Sequence, residues 1–199
     1  MTVTAKRTYR MTARAEAAAA TGERILDAAI EVFWEHPTEQ ISLEKVASRA
    51  GVTKQTILRR FGTKDGLRAA AGERSLARAR TERDDVAPGD VPGAVAALVE
   101  HYERLGDGVL RMLAEEVRNP GLREIVDRGR VYHVSWCERM FAPALDALRG
   151  ADRKRRLAQL VAVCDVYTWK LLRRDRRLSR TQTEVALREL LEPLIGDNE

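Results

Sequence analysis

The stretch SLEKVASRAGVTKQTILRRFGTKDGL, residues 42–67, decides the fold of the N-terminal third of this chain. Apolar residues recur at helical spacing on both sides of Gly51. Ser42 and Thr53 stand where the side chain of a helix N-cap is expected. Gly51 supplies the positive φ that a tight turn between two helices requires. Together these features predict a helix-turn-helix.

The helix after this turn carries polar residues suited to nucleic acid at its N-terminal end. In a helix-turn-helix, this end of the second helix faces the base edges of the major groove. Lys54 can donate to guanine, and Gln55 can form a bidentate pair with adenine. From Lys54 to Phe61 the sequence contains no acidic residue. The candidate DNA-contacting residues here are Thr53, Lys54, Gln55, Thr56, Arg59, Arg60 and Lys64.

Length and charge are compatible with this interpretation. The 199 residues suffice for one large or two small domains, and the net charge of +5 allows a polyanionic partner. No apolar run is long enough to cross a bilayer. No apolar signal-peptide segment follows the basic N-terminus. We therefore expect a cytoplasmic protein with no membrane partner.

Helical spacing continues through the rest of the sequence, without β-type alternation of useful length. The first helix is expected over residues 14–36 and the fourth over 63–85, with later breaks at 106–108, at 119–121 and at Gly150. The pattern predicts an all-α fold of about nine helices. A homeodomain-like three-helix domain with a basic N-terminal arm is expected at residues 1–66. A second helical domain is expected at residues 67–199.

The last two predicted helices have apolar residues on more than one face. Residues 153–173 are apolar nearly all round, which predicts burial on two sides. The final helix carries a leucine stripe at positions i, i+3, i+4 and i+7. A homodimer interface is the favoured interpretation, and a larger monomeric core is the alternative. The interface residues would be Leu157, Leu160, Val161, Cys164, Leu187, Leu190, Leu191 and Leu194.

Three motifs at fixed mutual spacing extend the pattern over residues 25–67, ILDAAIEVFWEHPTEQISLEKVASRAGVTKQTILRRFGTKDGL. They read A-A-x-x-x-F, V-A-x-x-A-G-V and F-G-x-K-x-x-L. In these motifs the chain resembles the DNA-binding domain of the TetR/AcrR family of bacterial transcriptional regulators. The resemblance implies an all-helical homodimer, whose C-terminal domain binds a small effector and dimerises through its last two helices.

The resemblance also implies roles for individual residues. By position, Ser42, Thr56 and Lys64 would contact phosphates. Lys54 and Gln55 would read bases, together with Thr53.

The chain departs from the family pattern at two positions. Leu58 stands where many members have a tyrosine that contacts phosphate, and Pro37 stands where a glycine is common. The lost hydrogen bond is worth about 1 kcal/mol, and the neighbouring arginines are expected to replace it.

The basic N-terminal arm is a further candidate for DNA contact, since it can reach a minor groove. The alternative is that it remains a solvated tail. Its basic residues are Lys6, Arg7, Arg10 and Arg14.

A candidate effector pocket lies among the helices between residues 63 and 172. Aromatic and sulfur-containing residues with a few polar groups are typical of a small-molecule site, and ordinary core packing is the alternative for each of them. We expect a small hydrophobic effector that shifts the helix beginning at Thr63 and so changes the spacing of two recognition helices. The candidate residues are Tyr102, Met112, Tyr132, His133, Trp136, Met140, Phe141 and Tyr167.

The sequence thus predicts a ligand-responsive repressor that leaves a palindromic operator when its effector binds. The alternative is a helical small-molecule-binding protein with a vestigial helix-turn-helix and no operator.

We expect no enzyme, because no nucleophile elbow, phosphate-binding glycine loop or His–acid constellation occurs. We expect no metal or other cofactor, because the histidines are widely separated. Cys137 and Cys164 are interpreted as buried, inert residues.

Overall fold

The computed structural model describes residues 3–196, with side chains described from residue 15 onward. Its α-helices are α1 (Val3–Glu35), α2 (Leu43–Ala50), α3 (Lys54–Phe61), α4 (Lys64–Asp84), α5 (Val91–Glu115), α6 (Pro120–Met140), α7 (Ala142–Leu145), α8 (Gly150–Val163), α9 (Val166–Lys170) and α10 (Arg180–Ile195). A π-helical turn, Leu171–Asp175, follows α9. The described residues contain no strand, which confirms the predicted all-α fold. None of the helices in this range is both long and apolar enough to cross a membrane.

The chain forms two compact units, Met1–Ser75 and Leu76–Glu199. The first unit extends past residue 66, where the sequence places the boundary. The reason is that Leu67 and Ala71 of α4 are buried in the same apolar cluster as residues of α1, α2 and α3. Helix α4 therefore contributes its N-terminal turns to the first unit and its remainder to the second.

The apolar faces of α1, α2 and α3 form the core of the first unit. Ile25 and Ala29 of α1, Val46 of α2 and Ile57 of α3 are at most 1% exposed. Full burial of a side chain of the size of Val or Ile contributes roughly 1.5–3 kcal/mol. The predicted three-helix arrangement is therefore present, with a core that holds α2 and α3 in place.

The core of the second unit surrounds two tryptophans, Trp136 of α6 and Trp169 of α9, which are both 0% exposed. Gly106 of α5 lies against one of them, since a Cβ atom added there would stand 2.5 Å from Cζ3 of Trp169. The turn predicted at 106–108 is wrong, because α5 runs without a break over Val91–Glu115. Gly106 allows the large ring of Trp169 to approach α5 closely, and it does not interrupt the helix.

Helix α1 begins earlier than the sequence predicts. A mobile arm at residues 1–13 and a helix from residue 14 were expected, but α1 begins at Val3. Alanine has the highest helix propensity, and the alanine-rich stretch at 15–20 favours continuation of the helix. The side chains of the predicted basic arm, Lys6, Arg7, Arg10 and Arg14, lie outside the part of the chain whose side chains are described.

Two helix boundaries near the C-terminus also differ from the prediction. The single helix expected over 153–173 is broken at Asp165, whose carboxylate accepts a hydrogen bond from the Tyr167 amide at 2.9 Å and caps α9. Gly150 was expected to end a helix, but it begins α8 with a φ of 55°.

The apolar stripe assigned to a dimer interface lies largely inside one chain. Leu160, Cys164, Leu187 and Leu191 are at most 1% exposed in the single chain and belong to its second core. Packing within the chain therefore accounts for these residues, and their assignment to a surface that meets a partner is corrected. Of the remaining predicted interface residues, Leu190 is 46% exposed. The partly buried ones are Leu157, Val161 and Leu194.

Candidate nucleic-acid interface

The turn between α2 and α3 has the left-handed geometry that the sequence predicts. Gly51 ends α2 with φ 65° and ψ 37°, a conformation that other residues reach only at a cost. Its amide donates to the Ser48 carbonyl at 3.3 Å, and the Val52 amide donates to the Ala47 carbonyl at 3.0 Å. A Cβ atom at Gly51 would meet nothing within 4 Å. The backbone angle, and not a lack of space, requires glycine here.

Two hydroxyls cap the helices on either side of this turn. Ser42 Oγ accepts a hydrogen bond from the Lys45 amide at 3.2 Å, and Thr53 Oγ1 accepts one from the Thr56 amide at 3.2 Å. Such caps contribute about 1 kcal/mol each. Thr53 Oγ1 also lies 2.9 Å from Thr56 Oγ1. The cap and this contact engage Thr53, so capping competes with its predicted role in base reading.

Helix α3 is anchored on one side and exposed at its N-terminal end. Ile57 is 0% exposed, and Leu58 packs against the same core. Lys54, Gln55 and Arg59 are exposed. A buried anchor beside exposed polar residues at the helix start is the arrangement that a recognition helix needs to present side chains to base edges.

Lys54 is engaged in an ion pair that the sequence analysis missed. Its Nζ donates to Glu44 Oε1 of α2 at 2.6 Å, and both side chains are more than half exposed. The hydrogen bond from Lys54 lowers the pKa of the Glu44 carboxyl. Solvent screens an exposed pair of this kind and it contributes little to stability, so a phosphate or base can displace Glu44.

Arg60 is turned toward α1 and not toward the exposed end of α3. Its Nη1 donates to the Ala18 carbonyl at 2.8 Å. Gly22 of α1 leaves room for the guanidinium, because a Cβ atom there would overlap it. The side chain bridges α3 and α1 in this structure, so the predicted DNA contact would require Arg60 to leave α1.

Other arginines fix the helices of the first unit against one another. Arg49 of α2 donates to Glu35 Oε2 at 2.6 Å and to Glu31 Oε2 at 3.0 Å, both on α1. Arg74 of α4 binds Asp27 of α1 at 2.9 Å, and it also pairs with Glu23. None of these pairs could be identified from sequence, because each joins residues on different helices. These pairs orient α1, α2 and α4 and so fix the position in which α3 is held.

The two remaining candidates for phosphate contact, Ser42 and Lys64, stand at the N-terminal ends of α2 and α4. Lys64 is exposed, and the preceding Thr63 caps α4 by accepting a hydrogen bond from the Gly66 amide at 3.0 Å. The positive end of each helix dipole favours an anion at these positions.

The residues predicted to line an effector pocket differ in how far their side chains are exposed to solvent. Tyr167 is 53% exposed, because Val166 and Trp169 are the residues of α9 that face the core. Its assignment to an interior pocket is therefore corrected. Met112 and His133 are partly buried. The members inside the second core are Tyr102, Tyr132, Trp136, Met140 and Phe141.

Polar groups within this core are joined to backbone carbonyls. The Tyr102 hydroxyl donates to the Cys164 carbonyl at 3.1 Å, and the Trp136 indole N–H donates to the Arg83 carbonyl at 3.2 Å. Arg83 itself is only 3% exposed. The sequence analysis did not identify Arg83, because nothing in the local pattern separates it from the other arginines of α4.

A separate groove of about 410 Å³ is lined by Leu148, Asp152, Arg155, Arg156, Gln159 and Leu194.

Comparison with known proteins gives a family match for one segment of the chain and a shared fold. The family model for bacterial regulatory proteins of the tetR family matches residues 25–71. Among curated proteins, none matches the chain in sequence.

Several solved structures share the fold. The SmeT–triclosan complex superposes with a TM-score of 0.68 at 25% identity, over 90% of this chain and 93% of that one. A transcriptional regulator from Rhodococcus sp. Rha1 gives a TM-score of 0.67 at 21% identity, over 87% and 95%. FadR from Bacillus subtilis in complex with stearoyl-CoA gives 0.57 at 19% identity, over 87% and 97%. Residues 25–71 thus match the tetR family of bacterial regulatory proteins, and the chain as a whole shares the fold of these solved structures.

Proposed function

We propose that the chain is a homodimeric transcriptional repressor that binds a palindromic operator through α3 and leaves it when a small hydrophobic effector binds the second unit. In this proposal the first unit binds DNA, and the second unit binds the effector and dimerises. The protein acts in the cytoplasm, where its operator is.

The observation that carries the proposal is the presentation of Lys54 and Gln55. Both are exposed at the capped start of α3, while Ile57 one turn later is buried and fixes the helix. Lys and Gln at such a position can pair with guanine and adenine in the major groove. Arg59 and Lys64 add exposed positive charge nearby in the sequence, and Ser42 and Thr56 offer hydroxyls for phosphate contacts.

The effector part of the proposal is supported by the composition of the second core. Tyr102, Tyr132 and Trp136 bring aromatic rings into one apolar cluster with polar atoms in it. Pockets for small molecules have this composition. Two proteins of the same fold form complexes with molecules that have a large apolar part, SmeT with triclosan and FadR with stearoyl-CoA.

Selection from a random pool of duplex DNA tests the operator. The wild-type protein should enrich a palindrome with two half-sites about one helical turn apart. A Lys54→Ala, Gln55→Ala variant should lose that enrichment or change the preferred base. The matched control is Gln40→Ala, Lys154→Ala, which removes the same residue types at exposed positions outside α3. Equal enrichment of the palindrome by the two variants would show that α3 does not recognise the base sequence.

A second candidate function is favoured by the pairing seen around α3. Lys54 is held by Glu44, and Arg60 is held by Ala18, so less positive charge is directed outward than the sequence suggests. A helical small-molecule-binding protein with a vestigial helix-turn-helix would have these features. Salt dependence separates the two functions, because a DNA-binding protein loses affinity with a log–log slope of about −0.9 per phosphate neutralised. A folded protein that shows no DNA affinity at low salt would support the second function.

A further inference from the structure

The second unit contains a cation buried against aromatic rings. Arg83 of α4 is 3% exposed. The central carbon of its guanidinium lies 4.0 Å from the centroid of the Trp136 ring and 5.4 Å from that of Tyr132. A guanidinium in this position stacks on the rings, but aromatic faces do not neutralise its charge.

The two acidic residues that flank Arg83 directly in the sequence are bound to other partners. Asp84 accepts a hydrogen bond from the Tyr132 hydroxyl at 3.1 Å and pairs with Arg139. Glu82 pairs with Arg104 and Arg78. Among the side chains described over residues 15–196, no ion pair includes Arg83, and its buried Nε has no hydrogen-bond partner. An unpaired buried charge is strongly unfavourable.

A second unpartnered nitrogen lies in the same region. His101 of α5 is 9% exposed, and its Nδ1 is buried without a hydrogen-bond partner. Burial, with the charges of Arg83 and Arg104 and the nearby His133 ring, lowers the pKa of His101 to about 3. The ring is therefore neutral at physiological pH and can supply one hydrogen-bond donor or acceptor.

The tyrosines of this cluster offer no negative charge. Burial raises the pKa of Tyr132 to about 12 and that of Tyr102 further still. An internal group that could balance Arg83 is the Cys137 thiol, whose Sγ lies 3.9 Å from His133 Nε2. A hydrogen bond from Cys164 lowers the pKa of the Cys137 thiol to about 6, with smaller contributions from His133 and Arg83.

We propose that Arg83 and His101 bind the anionic head of a small effector, a monocarboxylate with an aromatic or aliphatic body that packs among Trp136, Tyr102 and Tyr132. A guanidinium receives a carboxylate through two parallel hydrogen bonds, and the low dielectric of the interior strengthens that pair. His133 contacts Arg83 through Nδ1 at 3.4 Å and is partly exposed, so the cluster lies one side chain from the surface. The inference rests on the proposed function only in naming the bound molecule as the effector.

Direct binding measurements test the inference without DNA. Benzoate, phenylacetate and octanoate are titrated into the full chain by calorimetry, each beside its neutral amide. We expect at least one acid to bind, and its amide to bind roughly tenfold more weakly or worse. The Arg83→Met variant should lose the same factor for the acid, and Arg83→Lys should lose less. The control Arg188→Met, which removes an exposed arginine of α10, should lose nothing.

Several outcomes would overturn the inference. These are equal affinity for an acid and its amide, equal affinity of wild type and Arg83→Met, or no binding of any of the three acids at about 10 mM. A failure of this kind leaves the DNA-selection result unchanged, so the two proposals fail separately. Release of the selected operator by the bound acid would then identify that acid as an effector.

Stability and thiol titration separate binding from a structural role. If Arg83 is an unpaired charge, Arg83→Met should unfold at the same temperature as wild type or higher, since replacing a buried charge by an apolar side chain is commonly stabilising. If Arg83 instead balances a Cys137 thiolate, Arg83→Met should melt lower. The thiolate absorbance of Cys137 should then appear at higher pH. That pair of results would assign Arg83 to the thiolate and overturn the effector site.

Discussion

The Lys54 ammonium lies 2.6 Å from the Glu44 carboxylate, so the lysine proposed to read a base is held by an acid on the preceding helix. Both groups are exposed, so solvent screens the pair and it contributes little to stability. In the proposed function, DNA binding requires this pair to open before Lys54 can contact a base edge. Glu44 would then lower the affinity for every DNA sequence.

Glu44→Gln should therefore bind the selected operator more tightly than wild type, by up to about fivefold for each half-site, because the cost of freeing Lys54 is removed. Fluorescence anisotropy with labelled operator measures this change. Glu39→Gln is the control, since it removes the same charge from an exposed position just before α2. Equal gains from both variants would indicate a general effect of net charge and not release of Lys54.

Gly22→Ala tests the position of Arg60. A Cβ atom at Gly22 overlaps the guanidinium, so the flexible Arg60 side chain should leave α1. One hydrogen bond of about 1 kcal/mol is lost, and replacing glycine by alanine in a helix returns about 0.5–1 kcal/mol. The free energy of unfolding should therefore change by less than about 1 kcal/mol.

Gly22→Ala should change DNA binding measurably, although it changes the free energy of unfolding little. In the proposed homodimer, the released Arg60 of each protomer can neutralise one more phosphate, which steepens the log–log salt slope by about 0.9 per protomer. Titrations of operator binding at several salt concentrations measure the slope. The double variant Gly22→Ala, Arg60→Ala should return it to the wild-type value. A slope that stays unchanged in Gly22→Ala would show that Arg60 does not reach DNA even when free.

Local features of the fold could be predicted from sequence, and long-range contacts could not. The caps at Ser42 and Thr53 and the left-handed turn at Gly51 were predicted, because each depends on residues within one helical turn. The partner of Arg60 is separated from it by many residues on another helix. No pattern along the chain marks such a contact, so the recognition helix was predicted but the directions of its charges were not.

The glycines and leucines show why a residue type alone is ambiguous. Gly51 and Gly106 look alike in sequence, but one adopts a positive φ and the other makes room for Trp169 inside a continuous helix. The leucine stripe of α10 was expected to meet a partner, and Leu187 and Leu191 are buried within the chain instead. A periodic apolar face predicts burial, but it does not say against which chain.

Gly106→Ala should destabilise the second unit, because Trp169 is 0% exposed and its ring has little room to move. The added methyl group would stand 2.5 Å from that ring. Overpacking of this kind costs about 1–3 kcal/mol. Chemical denaturation followed by circular dichroism measures the loss.

Gly129→Ala in α6 is the matched control. A Cβ atom at this position meets nothing within 4 Å, so the substitution should stabilise the protein by about 0.5–1 kcal/mol through helix propensity. Similar losses in both variants would mean that helix α5 does not approach Trp169 as closely as the structure shows.

The buried His101 should make stability depend on pH in a defined direction. Its pKa is lowered to about 3 from 6.5, so between these values the unfolded chain binds a proton that the folded chain does not. Its contribution to stability is therefore complete above pH 6.5 and decreases as the pH falls toward 3. The slope approaches about 1.4 kcal/mol per pH unit.

Urea denaturation of wild type and His101→Gln between pH 7 and pH 5, roughly the window in which histidine titrates, measures this slope. Wild type should lose about 2 kcal/mol more than the variant over this range, since the carboxylates are common to both proteins. His36→Gln, which removes a partly exposed histidine, should keep the wild-type slope. Parallel curves for wild type and His101→Gln would show that the His101 ring accepts a proton within the folded protein. In that case the Arg83 cluster would be open to water, and a carboxylate would bind there only as a solvated, salt-sensitive ion.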